Sequence, residues 1–352
     1  MKRVVVDRFG GPEVLSVVED DDPRPGQGEV RVRVLASGVS FTDALIRAGT
    51  YLGGPKPPFT PGYELVGVVE ELGPGCSRLR GGDRIGALTV WGANAERVCV
   101  PDEYAVDVPE DLDPAEVVSL VFPYMTAYQM LHRAARVRTG ESVLMHGAAG
   151  RVGTAVLELG ALAGLRMYGT ASAADLAAVE RLGAVAIDYR NEDFVARVRE
   201  LTGDGVDVVL DGIGGAVSLR SFRALRRGNP FVGDPGGRLV VMGNYNTLAQ
   251  GRKRWRGWLE WYPATAAVWL WGSLSPHRRA LAYRIQKLRI DHQDWFADDF
   301  RELLDMLRRD QIHPVVAERL PLSEIRRAHE LLEQSAARGK LVLVPDADPD
   351  TR

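Results

Sequence analysis

Residues 142–153 read SVLMHGAAGRVG, and an apolar-periodic segment, Val152 to Leu162, resumes directly behind them. A short apolar run, a glycine-rich turn and an amphipathic run in that order predict a strand, a tight loop and a helix. Such a loop aims backbone N–H groups and the positive end of a helix dipole at one point in space, which suits a pyrophosphate. Glycines at 147, 150 and 153 also let a helix pack closely on a strand, so the loop alone is compatible with plain packing. The residues beyond the loop decide the matter. Gly164 ends the helix, Arg166 to Thr170 reads as a second strand, and Ala184 to Asp188, Val206 to Asp211 and Arg238 to Met242 each follow a helical segment. Five strands alternating with helices predict a parallel, doubly wound sheet with its ligand at the carboxyl ends of the strands. A bound dinucleotide, and with it redox chemistry, is the expectation.

At 352 residues, with 45% hydrophobic and 26% charged content, the chain carries enough apolar material for two cores, which predicts two domains. A formal net charge of −3 gives no electrostatic case for nucleic acid or an anionic membrane surface. Two cysteines, Cys76 and Cys99, and an N-terminus, MKRVVVDRFG, without the apolar core of a signal peptide point to a reducing cytosol, so a cytoplasmic location is expected. Residues 1 to about 110 alternate, as with Val30, Val32 and Val34 in EVRVRV, and turn signals fall at 10–12, 23–28, 73–75 and 81–83. That texture predicts a small, mostly antiparallel β unit. Asp113, Pro114 and Glu116 supply an N-cap, a first-turn proline and a capping-box acid, which marks entry to the α/β half. A helix from about Ser323 to Gln334 precedes a strand-like run, Lys340 to Val344, whose pattern fits either domain.

Five segments carry a further reading: GVSFTDALIRAGTY (38–51), PFTPGYELVGVVEELG (58–73), PYMTAYQML (123–131), HGAAGRVGTA (146–155) and GKLVLV (339–344). In this order they resemble the zinc-free, quinone oxidoreductase-like members of the medium-chain dehydrogenase/reductase superfamily, over nearly the whole chain. The resemblance implies an α/β protein with a GroES-like β domain plus a Rossmann doubly wound parallel-sheet domain. Residues 1–120 and 311–352 would form the discontinuous GroES-like catalytic domain. Residues 121–310 would form the dinucleotide-binding domain, with a Trp-rich insertion at about 250–295. Zinc alcohol dehydrogenases of the superfamily place a cysteine where this chain has Ser40 and a histidine where it has Tyr63. Two cysteines cannot supply their four-cysteine structural site, and the six histidines show no paired ligand spacing, so no metal is expected. Without a Lewis acid, the expected chemistry is NADPH-dependent hydride transfer to a quinone or an α,β-unsaturated carbonyl (enone or alkenal), a small-molecule substrate that delocalises the incoming charge itself.

Such a reaction needs a donor for the developing oxyanion and a proton for the product. Tyr51 matches a family tyrosine at the cofactor cleft; as a phenol with an ordinary pKa of about 10 it stays protonated, and it serves equally well as a plain pocket wall. Ser40 stands where many quinone reductases have an asparagine near the nicotinamide. Thr126, at a helix start, matches a contact to the nicotinamide end. Asp43 and Glu64 read as structural, partnering backbone or arginine. Cofactor contacts are expected from Gly147, Ala149, Gly150, Arg151, Val152 and Gly153. The second strand ends Gly169, Thr170, Ala171, Ser172 without the acid that holds the ribose of NAD, which leaves room for the 2′-phosphate of NADPH. Ser172 is the expected donor to it and Tyr189 matches a family position beside the adenosine ribose. The run ASAADLAAVE offers Asp175 but no base, leaving Arg151 or Arg190 to supply the charge. Gly243 and Asn244 follow the strand RLVVM and are expected at the cofactor. For Gly212 to Gly215, cofactor contact and ordinary turn geometry both stay open.

Trp255, Trp258 and Trp261 recur every three residues, as on one helical face, and Trp269 and Trp271 follow. Dimer contact, substrate lid and membrane-surface association all fit this cluster, with a homodimer as the leading expectation. The apolar run Tyr262 to Leu274 is too short to cross a bilayer and contains Pro263. Two alternatives to the leading activity remain: an enoyl-thioester (CoA or ACP) reductase, with RKRWR (252–256) at the mouth of its channel, and a non-catalytic NADP-binding protein.

Overall fold

In the computed structural model the described residues are 1–51, 53–243, 248–249, 252–253, 255–275, 277–334 and 337–346, with side chains excluded at 230, 248–249, 252–253 and 255–261. The chain divides into two compact units, Met1–Met125 with Leu248–Lys253 and Arg289–Arg352, and Thr126–Thr247 with Arg254–Leu288. In chain order come β1 (Lys2–Val6), β2 (Leu15–Glu19), β3 (Glu29–Val39), α1 (Phe41–Arg47), β4 (Glu64–Leu72), β5 (Arg84–Leu88), β6 (Arg97–Pro101), β7 (Ala105–Asp107) and α2 (Pro114–Ser119). After α3 (Met125–Gln129) come β8 (Ser142–His146), α4 (Arg151–Leu162), β9 (Arg166–Ala171), α5 (Leu176–Arg181), β10 (Val185–Asp188), α6 (Phe194–Thr202), β11 (Val208–Asp211), α7 (Ala216–Ala224) and β12 (Gly237–Val241). The two-residue strands β13 (Leu248–Ala249) and β14 (Arg252–Lys253) precede α8 (Trp255–Leu274), β15 (Arg278–Ala282), α9 (Ile285–Asp291), α10 (Gln293–Arg308), β16 (Val316–Pro321), α11 (Ile325–Glu333) and β17 (Lys340–Val344).

The first unit is built on a seven-stranded sheet in the order β16-β17-β3-β4-β5-β7, with β6 also paired to β3. The alternation in β3 explains its two faces. Val30, Val32 and Val34 are buried with Leu65, Val69, Ile85 and Val100, whereas Arg31 and Arg33 lie beside Glu70 on the other face. The last strand, ambiguous on pattern alone, belongs here, antiparallel to β3 and parallel to β16. Asp113 caps α2 by accepting from the Ala115 N–H at 3.1 Å, but α2 lies in this unit, so entry to the α/β half comes later, at Thr126. The expected return at residue 311 is corrected to Arg289. The reason is packing: Phe300 on α10 is fully buried against Gly86, where an added Cβ would stand 2.7 Å from its ring.

The second unit holds a six-stranded, all-parallel sheet in the order β10-β9-β8-β11-β12-β15. This is the doubly wound Rossmann order, with its switch point between β8 and β11. Its core joins Leu144, Ile187, Val209 and Leu239 to Phe194, Val198 and Phe222 from α6 and α7. The sixth strand, β15, reads RRALA, and its two leading arginines and half-exposed edge position hide the apolar pattern that marks the other five. The Trp-rich stretch forms one helix, α8, continuing through Pro263. Among the described residues no helix is long and apolar enough to cross a membrane.

Candidate active site

In the second unit, β8 ends at His146 and α4 begins at Arg151, so Gly147 to Gly150 form the turn between them. Gly147 has φ +69°, a left-handed conformation that a side chain would strain. Gly153, inside α4, is required by close approach: an added Cβ would stand 2.6 Å from the Ala148 carbonyl oxygen and closer still to that of Gly147. Both clashing atoms are backbone and cannot turn away. Gly153→Ala is expected to lower unfolding stability by about 1–3 kcal/mol, read by denaturant titration; an unchanged midpoint would mean that the loop has another resting shape. Gly150 is the N-cap of α4 and makes no side-chain cap bond, which leaves the amides of Arg151 and Val152 at the positive end of the helix.

The strand beside the loop holds it in place. Thr170, at the end of β9, accepts from the Gly147 N–H at 3.3 Å and shares a 3.0 Å bond with His146 Nδ1, and its carbonyl accepts from Ala148 N–H. His146 Nε2 pairs with Ser221 Oγ at 2.9 Å; burial pushes this imidazole below its usual pKa, so it is a neutral brace. The turn after β11 has its own explanation, since Asp211 accepts from the Ile213 and Gly214 amides. Gly243 packs against it: a Cβ there would stand 2.8 Å from the Gly212 carbonyl oxygen. Asn244 lies outside the described residues. Thr126 is buried and its Oγ1 has no hydrogen-bond partner among the described residues.

At the tip of β9 the structure changes one expectation. Ser172 Oγ donates to Asp175 Oδ2 at 2.7 Å, so the hydroxyl expected to meet a phosphate is engaged by a carboxylate three residues on. Tyr189 is half-exposed at the end of β10, its N–H bonded to the Ala171 carbonyl. The Arg190 guanidinium lies 5.7 Å from the centre of the Tyr189 ring, which brings a base to this strand tip.

In the first unit, Tyr51 and Tyr63 meet hydroxyl to hydroxyl at 3.1 Å. Tyr63 is buried, with its ring 4.5 Å from that of Phe122. Ser40 is the N-cap of α1: it donates to Asp43 Oδ2 at 2.6 Å and accepts from the Asp43 N–H in a capping box. Its hydroxyl is thereby committed to the helix. Asp43 also accepts from Ser40 and Gly62 backbone amides, as a structural residue should. Glu64 pairs with Lys340, a partner outside the backbone and arginine expected for it, and both side chains are almost wholly buried. The chain separation of 276 residues hides this pair from any local pattern. The same holds for Arg289, a buried cation that donates to the Leu88 carbonyl 201 positions away.

Comparison with known proteins places this geometry in a family. Residues 26–110 match the alcohol dehydrogenase GroES-like domain and residues 182–343 a domain described as zinc-binding dehydrogenase. The quinone oxidoreductase of Rattus norvegicus is 30% identical over 354 residues, covering 98% of each chain. The chain belongs to the medium-chain dehydrogenase/reductase superfamily, on its quinone oxidoreductase-like branch. A second relative, the synaptic vesicle membrane protein VAT-1 homolog of Rattus norvegicus, is 30% identical over all of this chain and 86% of its own. The crystal structure of Escherichia coli quinone oxidoreductase complexed with NADPH superposes with a TM-score of 0.84 at 28% identity, covering 98% of this chain and 100% of that one.

The donor set at residues 40 and 63 does not fit zinc. Ser40 is tied into the capping box and Tyr63 into the phenol pair, and neither oxygen replaces the thiolate and imidazole that hold zinc. Among the described residues no group of three or more His, Cys, Asp or Glu is arranged for a metal ion.

Proposed function

We propose that this medium-chain dehydrogenase/reductase is an NADPH-dependent oxidoreductase that reduces a quinone or an α,β-unsaturated carbonyl without zinc. The observation that carries the reading is the α4 N-terminus, where the Gly147–Gly150 turn and the uncapped Gly150 leave backbone amides for a pyrophosphate at the switch point of a parallel sheet. Thr126 Oγ1, without a hydrogen-bond partner among the described residues, fits a group at the nicotinamide end. When bound, the reduced nicotinamide supplies the hydride. Tyr51 then donates to the oxygen on which charge develops, and Tyr63 donates in turn to Tyr51 as its charge grows. A homodimer in the cytoplasm is part of the same proposal.

The test is direct. Purified protein is incubated with NADPH and a panel of quinones, enones and enoyl thioesters while nicotinamide absorbance is followed. Oxidation by quinones or enones, unaffected by chelators, is expected. Oxidation by enoyl thioesters alone would favour the thioester reductase, and tight cofactor binding without turnover would favour a binding protein. Cofactor choice has its own test. Arg190 favours a 2′-phosphate, whereas Asp175, bonded to Ser172, opposes it. Asp175→Asn is expected to raise the preference for NADPH over NADH about tenfold, the effect of roughly 1.4 kcal/mol, and an unchanged ratio of kcat/KM values would remove Asp175 from cofactor selection.

A further inference from the structure

Arg289, on α9, lies in an unusual setting. Its side chain is about nine-tenths buried, its guanidinium stacks over the Tyr104 ring at 4.1 Å, and Nη1 donates to the Leu88 carbonyl. Its Nε is buried and has no hydrogen-bond partner among the described residues. Burial pulls this guanidinium below its usual pKa, opposed by the phenols of Tyr104 and Tyr63 and the carboxylate of Glu103. An arginine keeps its charge under such conditions. Leu88, whose carbonyl Arg289 holds, precedes Thr89 and Val90, whose N–H groups both bond to the Tyr63 carbonyl, so a buried cation is fixed next to the residues that hold Tyr63, whose hydroxyl is 3.1 Å from that of Tyr51.

We propose that Arg289 is a positioning residue for proton donation: its charge, held beside Tyr63, stabilises the negative charge that the Tyr63–Tyr51 pair acquires when Tyr51 gives up its proton. The inference rests on the reductase reading. In the step concerned, hydride from the reduced nicotinamide has left an anion on the substrate. The Tyr51 O–H bond breaks, a C–H or O–H bond forms on that anion, and the pair retains one proton and one negative charge until solvent restores the second proton. Zinc enzymes of the superfamily meet this charge with a metal, and here a fixed guanidinium acts through two phenols.

The charged and titratable groups on this side of Tyr63 include Arg289, Glu103 and Asp43, whose buried carboxyl accepts from the Gly62 N–H next to Tyr63. Glu103 and Tyr104 face Arg289 from the turn before β7, and Glu103 is exposed and therefore screened. Phe122 closes another side of Tyr63 with an apolar ring. Glu64, next to Tyr63 in the chain, is paired with Lys340.

The experiment titrates tyrosine ionisation by ultraviolet absorbance in the full chain, with the Tyr51→Phe/Tyr63→Phe double variant subtracted to isolate the pair. Arg289→Met is expected to raise the apparent pKa of the pair by about one unit, and to move the alkaline limb of the kcat/KM profile upward by the same amount. Arg289→Lys, which keeps the charge but loses the stacking on Tyr104, is expected to restore both. A pair that titrates alike in the parent and in folded Arg289→Met overturns the proposal, as does a shift that Arg289→Lys fails to reverse. The phenol titration needs neither cofactor nor substrate, so a failure of the reductase reading in the turnover panel is distinguishable from a failure here.

Discussion

Tyr51→Phe is expected to lower kcat roughly 100- to 1000-fold, the usual loss when one donor to a developing oxyanion is removed, with no change in the Kd for NADPH. Phenylalanine keeps the ring and deletes only the hydroxyl that meets Tyr63 at 3.1 Å, so packing is preserved and the proton donor is lost. Tyr63→Phe removes the partner that steadies Tyr51, and the smaller loss of about tenfold is expected, since it acts through the first phenol. Fluorescence titration gives the cofactor affinity and single-turnover absorbance the hydride and proton steps. An unchanged turnover in Tyr51→Phe would make the residue a wall of the pocket and move the donor elsewhere.

The second large effect is on stability. Lys340→Met is expected to reduce the unfolding free energy by about 3–5 kcal/mol, because it leaves Glu64 charged, buried and without its counter-ion. Replacing both partners, as in Lys340→Met/Glu64→Leu, is expected to recover most of the loss, since apolar residues of similar volume fill such a site without a desolvation penalty. The loss has a pH signature. An isolated carboxylate is costly only when ionised, so the deficit of Lys340→Met is largest near neutrality and shrinks as pH falls and Glu64 takes up a proton. Asp43 adds in the same direction: burial pushes its carboxyl up, and the Lys340 charge is among the groups that pull it down. Native Asp43 already binds its proton at higher pH than the unfolded chain does, and with Lys340 gone that rise grows, so the decline of stability with rising pH steepens. Urea titrations at several pH values read this out, and a deficit independent of pH would place the damage in packing.

The α/β half was legible because its signals are local. The glycines of the β8–α4 turn are required by a left-handed φ and a backbone approach, constraints that leave a trace in any sequence that meets them. The strand β15 was not legible, because an edge strand opening on Arg278 and Arg279 carries no apolar alternation. Nor was the early return at Arg289, since the burial of Phe300 against Gly86 joins residues more than two hundred positions apart. The candidate site divides in the same way. Tyr51, Thr126 and the glycine turn stand out from motif spacing, whereas the Ser172–Asp175 bond and the capping box around Ser40 redirect hydroxyls that spacing alone leaves available. The Glu64–Lys340 pair and Arg289 depend on contacts that only the closed fold creates.

The position of β17 has a consequence for biosynthesis. This strand is hydrogen-bonded on both sides, to β16 and to β3, and it carries the lysine that neutralises Glu64. The α/β unit has all its strands by residue 282 and can close as the chain emerges from the ribosome. Strands β3 and β4, translated well before β17, wait with a gap in their sheet until that strand follows, so the unit begun earlier closes later.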